Sequence, residues 1–165
     1  MGAGFTAKCK KCGFLFDVFY GVGFLYPETY TEAIEEAKNG KYGEEIKSFL
    51  EIHSDAAINA ERVVMQCEEC KNLEIGDDLS VFLPKNKDSD GEKEKLIWSI
   101  AFPAEGYKFV APWELKENYI KMIEYSHKCS KCSGNMKIIP EEELNSLCCP
   151  KCGGEMEDVG RIYWD

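Results

Sequence analysis

The stretch Cys149-Pro150-Lys151-Cys152-Gly153-Gly154 is the part of the sequence that bears most directly on how the fold is held together. Two cysteines separated by two residues can direct both sulfurs at one metal ion, at metal–sulfur distances of about 2.3 Å. The glycine after the second cysteine permits a positive φ, which turns backbone N–H groups toward the sulfurs. The sequence therefore predicts that this stretch forms half of a metal site.

Three further pairs of cysteines have the same C-x-x-C spacing, so that eight of the nine cysteines fall into four pairs. The pairs are Cys9/Cys12, Cys67/Cys70, Cys129/Cys132 and Cys149/Cys152. Because one tetrahedral site takes four sulfurs, four pairs predict two sites.

The distances between the pairs along the chain suggest how they combine. The last two pairs form a C-x2-C-x16-C-x2-C pattern, which is typical of a single zinc site. We therefore predict one site at Cys129, Cys132, Cys149 and Cys152, and a second at Cys9, Cys12, Cys67 and Cys70. The first two pairs are separated by 54 residues, so the second site would fasten two distant segments around a folded insert. An exchange of partners between the halves, for example Cys9/Cys12 with Cys129/Cys132, is also compatible with the spacing.

Three of these pairs resemble motifs of known families, and one of them is Cys9-Lys-Lys-Cys12-Gly13, which resembles a metal-binding knuckle. The Cys149 to Gly154 stretch resembles the C-P-x-C-G knuckle of zinc ribbons and of rubredoxins, and Cys129-Ser-Lys-Cys132-Ser-Gly134 resembles it with serine at the first glycine position. The chain as a whole resembles small zinc-ribbon proteins of bacteria. The zinc-ribbon resemblance implies structural zinc, and we expect two Zn²⁺ ions. Iron is the alternative, because four thiolates suit iron as well as zinc.

Composition and charge restrict the class of protein. A hydrophobic share of 44% fits a globular chain, and no window approaches the roughly 20 apolar residues that a membrane helix needs. We see no secretion signal and expect a cytoplasmic protein, in which disulfides are disfavoured. The formal net charge of −10 repels phosphate backbones, so nucleic-acid binding is disfavoured as well.

Hydrophobic periodicity predicts an α+β fold of small antiparallel sheets with a helical hairpin insert. We expect helices from Pro27 to Asn39-Gly40, over 43–53, and from Pro112 through Ile123. We expect strands near 14–19, 62–66, 79–83, 96–102, 106–111, 136–139 and 161–164, with a charged loop over 85–95. We expect an α+β domain over residues 1–126, with a site joining residues 9–12 and 67–70, and a zinc ribbon over 127–165.

No catalytic residues are predicted, because no nucleophile–base pair, carboxylate dyad or phosphate loop is recognisable and four-thiolate zinc leaves no position for water. We expect a non-enzymatic, zinc-binding adaptor for another protein. One alternative is a nucleic-acid-associated factor of transcription or translation, and another is a rubredoxin-like redox protein. The contacts of the nucleic-acid factor would be the lysines around the knuckles, namely Lys8, Lys10, Lys11, Lys128, Lys131 and Lys151.

Two other residues lie beside the predicted ligands. Cys148 is expected to be a small, partly buried side chain on the strand that enters the last knuckle, or else a spare thiol for ligand exchange. His127 is expected to be a surface histidine, or else a residue that hydrogen bonds to the site at Cys129.

Overall fold

The computed structural model describes residues 2–85 and 109–164. Within these ranges it confirms the α+β class, with short helices and three-stranded antiparallel sheets. The helices are α1 (Tyr26–Lys38), α2 (Glu44–Ile52) and α3 (Pro112–Asn118), and a 3-10 helix spans Glu141–Ser146. The strands are β1 (Gly2–Cys9), β2 (Leu15–Tyr20), β3 (Ala57–Ile58), β4 (Arg62–Cys67), β5 (Leu73–Asp77), β6 (Val81–Pro84), β7 (Tyr119–Ile123), β8 (Met136–Ile139) and β9 (Met156–Trp164).

The described residues group into two compact units, each made of separate segments of the chain. Unit 1 contains residues 2–23, 62–77 and 126–164, and unit 2 contains residues 24–61, 78–85 and 109–125. This differs from the expected boundary between 1–126 and 127–165. The reason is strand pairing, because β1 pairs with β9 and β4 pairs with β8. The last forty residues therefore complete sheets that begin much earlier in the chain.

Unit 1 contains two sheets with the same topology, in the orders β2-β1-β9 and β5-β4-β8. In each sheet a hairpin supplies two strands, and a later strand adds to the free side of the first. We call β2-β1-β9 ribbon A and β5-β4-β8 ribbon B. Along the chain, both parts of ribbon B lie between the hairpin of ribbon A and β9, so ribbon B is nested inside ribbon A.

The two ribbons share one hydrophobic core. Side chains that alternate along β1, such as Phe5 and Ala7, pack in the same buried cluster as Val64 of ribbon B. The 3-10 helix and the residue after it contribute Leu144 and Leu147. Because one core serves both ribbons, loosening of the whole core would affect both of their cysteine clusters.

Unit 2 contains the predicted helical hairpin of α1 and α2, and a third sheet in the order β3-β6-β7. Proline lies in the first turn of α1, where it has no hydrogen bond to lose. The helix ends at Lys38 with Asn39 as its C-cap, and Gly40 follows with a φ of 83°. These limits confirm the prediction from Pro27 and Asn39-Gly40. No helix in the described part of the chain is long and apolar enough to cross a membrane.

Two sequence predictions differ from the structure, and three others lie wholly or mostly outside the described residues. The helix from Pro112 does not continue through Ile123, since it ends at Asn118 and the next residues pair with β6 as β7; pairing overrides the helical spacing of their apolar side chains. Leu79 was expected in a strand but has a φ of 64° and precedes β6. The predicted strand over 96–102, the loop over 85–95 beyond Lys85 and most of the strand over 106–111 lie outside the described residues.

Candidate metal centres

The four C-x-x-C segments form knuckles with the same turn. In each, the N–H of the residue after the second cysteine donates to the carbonyl of the first cysteine, at 2.8–3.1 Å. That residue has a positive φ in all four knuckles: 72° at Gly13, 59° at Lys71, 59° at Ser133 and 67° at Gly153. Two knuckles therefore hold this conformation without glycine, although a left-handed φ is unfavourable for residues with a Cβ.

The knuckles meet in pairs to form two clusters of four cysteines, in which all sulfurs lie within 4.8 Å of one another. We call the cluster of Cys9, Cys12, Cys149 and Cys152 centre A, and the cluster of Cys67, Cys70, Cys129 and Cys132 centre B. In centre A the Sγ–Sγ distances are 3.5 Å for Cys9–Cys152 and 3.5 Å for Cys12–Cys149. In centre B they are 3.4 Å for Cys67–Cys132 and 3.6 Å for Cys70–Cys129. Centre A lies at the end of ribbon A, and centre B at the end of ribbon B.

This grouping corrects the predicted one. All eight predicted residues lie in the clusters, but Cys9/Cys12 meet Cys149/Cys152 instead of Cys67/Cys70. The exchange foreseen as an alternative occurs with different partners from the example given. Its physical cause is strand register. Cys9 lies opposite Met156 in the β1–β9 pairing, and Cys67 lies opposite Met136 in the β4–β8 pairing, so each hairpin receives the knuckle that precedes its third strand.

The size of each cluster suits a metal ion with four thiolate ligands. Metal–sulfur bonds of about 2.3 Å in a tetrahedron place the sulfurs about 3.8 Å apart, close to the 3.4–3.6 Å contacts in the two centres. A disulfide would require about 2.05 Å, and the cysteines are unbonded to one another. Both clusters can therefore hold a metal ion.

Backbone N–H groups stabilise negative charge on the first cysteine of the knuckles. The N–H groups of Cys70, Lys131 and Lys151 each lie 3.4 Å from the sulfur of the first cysteine in their own knuckle. The N–H of Cys12 lowers the pKa of the Cys9 thiol to about 6. The N–H of Cys70 likewise lowers the pKa of Cys67 to about 7. These thiols are thus prepared to act as thiolates near neutral pH.

Neighbouring sulfurs oppose the ionisation of Cys132 in centre B and of Cys152 in centre A. The N–H of Gly134 acts to lower the pKa of Cys132, but the neighbouring sulfurs of Cys67 and Cys70 outweigh it, and the pKa rises to about 12. The sulfurs around Cys152 raise its pKa to about 12 in the same way, against the N–H of Gly154. Four thiolates cannot coexist at this separation without a cation between them, which is what a divalent metal ion supplies.

Centre B has a hydrogen-bonded carboxylate that the sequence analysis did not identify. Oε1 of Glu74 accepts hydrogen bonds from the N–H of Ser130 at 2.9 Å, from the Ser130 hydroxyl at 2.8 Å and from the Asn72 side chain at 2.8 Å. Partial burial acts to raise the pKa of Glu74, but the two Ser130 donors hold it below the usual value. The only signal in the sequence was the serine inside the Cys129–Cys132 knuckle, and its partner cannot be read from spacing.

The two other candidates beside the ligands lie outside both clusters. Cys148 is exposed, where a partly buried side chain on a strand was expected, and it forms an isolated bridge to Glu155 outside the named strands. The backbone carbonyl of His127 accepts the N–H of Met136, and its imidazole is not part of either cluster.

Several knuckle lysines contact their own ribbon. Lys10 forms an ion pair with Glu155 at 2.9 Å, Lys128 donates to the Asn135 side chain at 2.6 Å, and the Lys151 amine lies 5.0 Å from the centre of the Phe14 ring. Each of these three amines therefore has a contact close to its own knuckle.

Comparison with known proteins adds no family to this description. No protein-family model, no curated protein and no solved structure matches the chain. The geometry of the two centres is therefore the basis for inferring a function.

Proposed function

We propose that this chain is a non-catalytic zinc protein, in which centres A and B each bind one structural Zn²⁺ ion and the ribbons they stabilise bind another protein. The observation that carries the proposal is the pair of four-sulfur clusters with tetrahedral spacing. A zinc ion with four thiolate ligands has no open position for water or substrate. The metal then contributes to folding rather than to catalysis.

We propose zinc at both centres, and iron is the alternative. Both metals accept four thiolates in a tetrahedron, and the spacing alone does not separate them. An electron-transfer role would need an iron centre, whose thiolate complex absorbs visible light. We expect two moles of zinc per mole of natively expressed protein and no iron–thiolate band. Elemental analysis that gives one mole of metal per mole of protein, or mostly iron, contradicts the proposal.

The role as an adaptor is supported by exposed apolar side chains on ribbon A. Leu15 on β2 is 57% exposed and Tyr163 on β9 is 73% exposed, and both strands are edges of their sheet. Apolar side chains presented on a rigid sheet are suited to burial against another protein. The net charge of −10 favours a partner with a basic surface.

A nucleic-acid role is the less well supported candidate. The lysines that would contact phosphates include Lys10, Lys128 and Lys151, which have partners within their own ribbon. We expect no shift in the mobility of mixed RNA and DNA fragments at low salt. A retarded band that weakens as salt is added would favour the nucleic-acid role instead.

The protein partner is tested by affinity capture from nuclease-treated extracts of the native source. We expect one protein to be retained by the wild-type chain and lost with the double substitution Leu15→Ser and Tyr163→Ser. Ile52→Ser is the matched control, because Ile52 is 76% exposed but lies in unit 2. Equal retention by all three chains would contradict a binding surface on ribbon A.

A further inference from the structure

The two centres have equivalent ligands but differ in how their second knuckle is attached. Cys67 and Cys9 occupy equivalent positions, since each lies opposite the first residue of the third strand of its ribbon. Seven positions after these cysteines lie Glu74 in ribbon B and Phe16 in ribbon A. In the second knuckle, Ser130 follows Cys129 in ribbon B and Pro150 follows Cys149 in ribbon A. The same two positions therefore hold a carboxylate and a serine in one ribbon, and an aromatic ring and a proline in the other.

In ribbon B the two positions are joined by hydrogen bonds. Glu74 lies in β5, within the hairpin that carries Cys67 and Cys70, and its Oε1 accepts both the N–H and the hydroxyl of Ser130. Ser130 lies inside the opposite knuckle, next to Cys129. The carboxylate thus connects the two halves of centre B outside the ligands themselves. Hydrogen bonds to an ionised acceptor are roughly twice as strong as neutral ones.

In ribbon A no such connection can form at these positions. Pro150 has no N–H and no hydroxyl, and Phe16 has no acceptor. Phe16 is instead packed against the buried cluster of unit 1 together with Cys152. At these two positions ribbon A has apolar packing, where ribbon B has a charged hydrogen-bond clamp.

We infer that Glu74 is a positioning residue that sets how long a metal ion stays in centre B, with no effect on centre A. The inference rests on metal binding by the two centres, as proposed above. Partners that orient metal ligands typically change metal affinity by about 10–100-fold when removed. Loss of the Glu74 carboxylate should accelerate metal release from centre B by about the same factor.

The test measures zinc release from the holoprotein to an excess of a colour-forming chelator. Release from the two centres should give two kinetic phases. The phase that remains in the Cys12→Ser variant, in which centre A is disrupted, belongs to centre B. We expect Glu74→Ala to accelerate only the centre B phase, by about 10–100-fold, and Glu74→Gln to restore much of the slow release because its amide oxygen still accepts from Ser130. Glu157→Ala, which removes an exposed carboxylate on β9, should leave both phases unchanged.

A second variant tests the Ser130 contact separately. Ser130→Pro reproduces the residue of the equivalent knuckle of ribbon A and removes both donors, so it should accelerate the same phase, and adding Glu74→Ala to it should have little further effect. Acceleration of both phases would show general loosening of the shared core and would overturn the inference. The inference would also be overturned if Glu74→Ala or Ser130→Pro protein bound two zinc ions and released them at the wild-type rate. A wild-type chain that holds no zinc would instead refute the proposed function.

Discussion

The Sγ atoms of Cys12 and Cys149 lie 3.5 Å apart, although 137 positions separate them along the chain. Centre A therefore joins the turn of the first hairpin of unit 1 to the segment before its last strand, and residues 13–148 lie inside the loop that this contact closes. Closing so long a loop carries a large conformational entropy cost. The free energy of binding a metal ion at centre A would offset this entropy cost for unit 1.

Removal of both metal ions should unfold unit 1. Structural zinc contributes about 10–16 kcal/mol in small zinc domains, and a domain is stable by only about 5–15 kcal/mol. Helices α1 and α2 of unit 2 contain no ligand and bury their own apolar faces, so the helical circular dichroism should persist. Hydrogen exchange on chelator-treated protein should show loss of protection in β1 and β9. Retained protection in these strands with no metal bound would contradict this prediction.

Exchange of serine and glycine between equivalent knuckle positions should have opposite effects on stability. Ser133 has a φ of 59° and Gly153 a φ of 67°, and no atom lies within 4 Å of a Cβ built on Gly153. The effect is therefore confined to the backbone, where a left-handed residue with a Cβ costs about 1–2 kcal/mol. Ser133→Gly should raise the free energy of unfolding by about 1 kcal/mol, and Gly153→Ser should lower it by a similar amount.

Urea denaturation of the zinc-loaded variants measures both changes under one condition. A decrease in stability on Ser133→Gly would show that the serine side chain contributes more than its backbone strain costs.

Alanine at Gly154 and at Gly134 should affect the centres unequally. A Cβ on Gly154 would lie 3.1–3.3 Å from Lys11 Cβ and from the sulfurs of Cys9 and Cys152. The three atoms nearest to a Cβ on Gly134 belong to the carboxylate end of Glu69, at 2.8–3.1 Å, and that end can move. We expect Gly154→Ala to weaken cobalt binding at centre A, and Gly134→Ala to leave both cobalt sites intact. Equal visible spectra for the two variants would contradict this difference.

The local elements of this fold were accessible from the sequence, but the pairing of the knuckles was not. The spacing of the cysteines identified all eight clustered residues, and apolar periodicity identified α1 and α2. The interval between Cys132 and Cys149 matched a simple ribbon, yet that interval contains β8 and the 3-10 helix, which direct the two knuckles to different sheets. Which two knuckles meet depends on the pairing of strands from distant segments, and C-x-x-C spacing contains no information about that pairing.

The residues that support the centres could not be identified from the sequence for a related reason. Lys71 adopts a backbone conformation that normally indicates glycine, and the structure reveals it through the φ of Lys71 and its hydrogen bond to the Cys67 carbonyl. The contact between Glu74 and Ser130 spans 56 positions, and no local pattern predicts a partner at that distance.

The nested arrangement is tested most directly by the zinc content of two double variants that replace exposed or half-buried ligands, with Cys148→Ser as the control that should keep both ions. Cys12→Ser with Cys152→Ser removes two ligands of centre A alone, so one zinc ion should remain, with the cobalt spectrum of an intact four-thiolate site. Cys12→Ser with Cys70→Ser damages both centres, so no tightly bound zinc should remain. If the second variant keeps one ion and the first keeps none, the knuckles pair in sequence order and the nested ribbons are wrong.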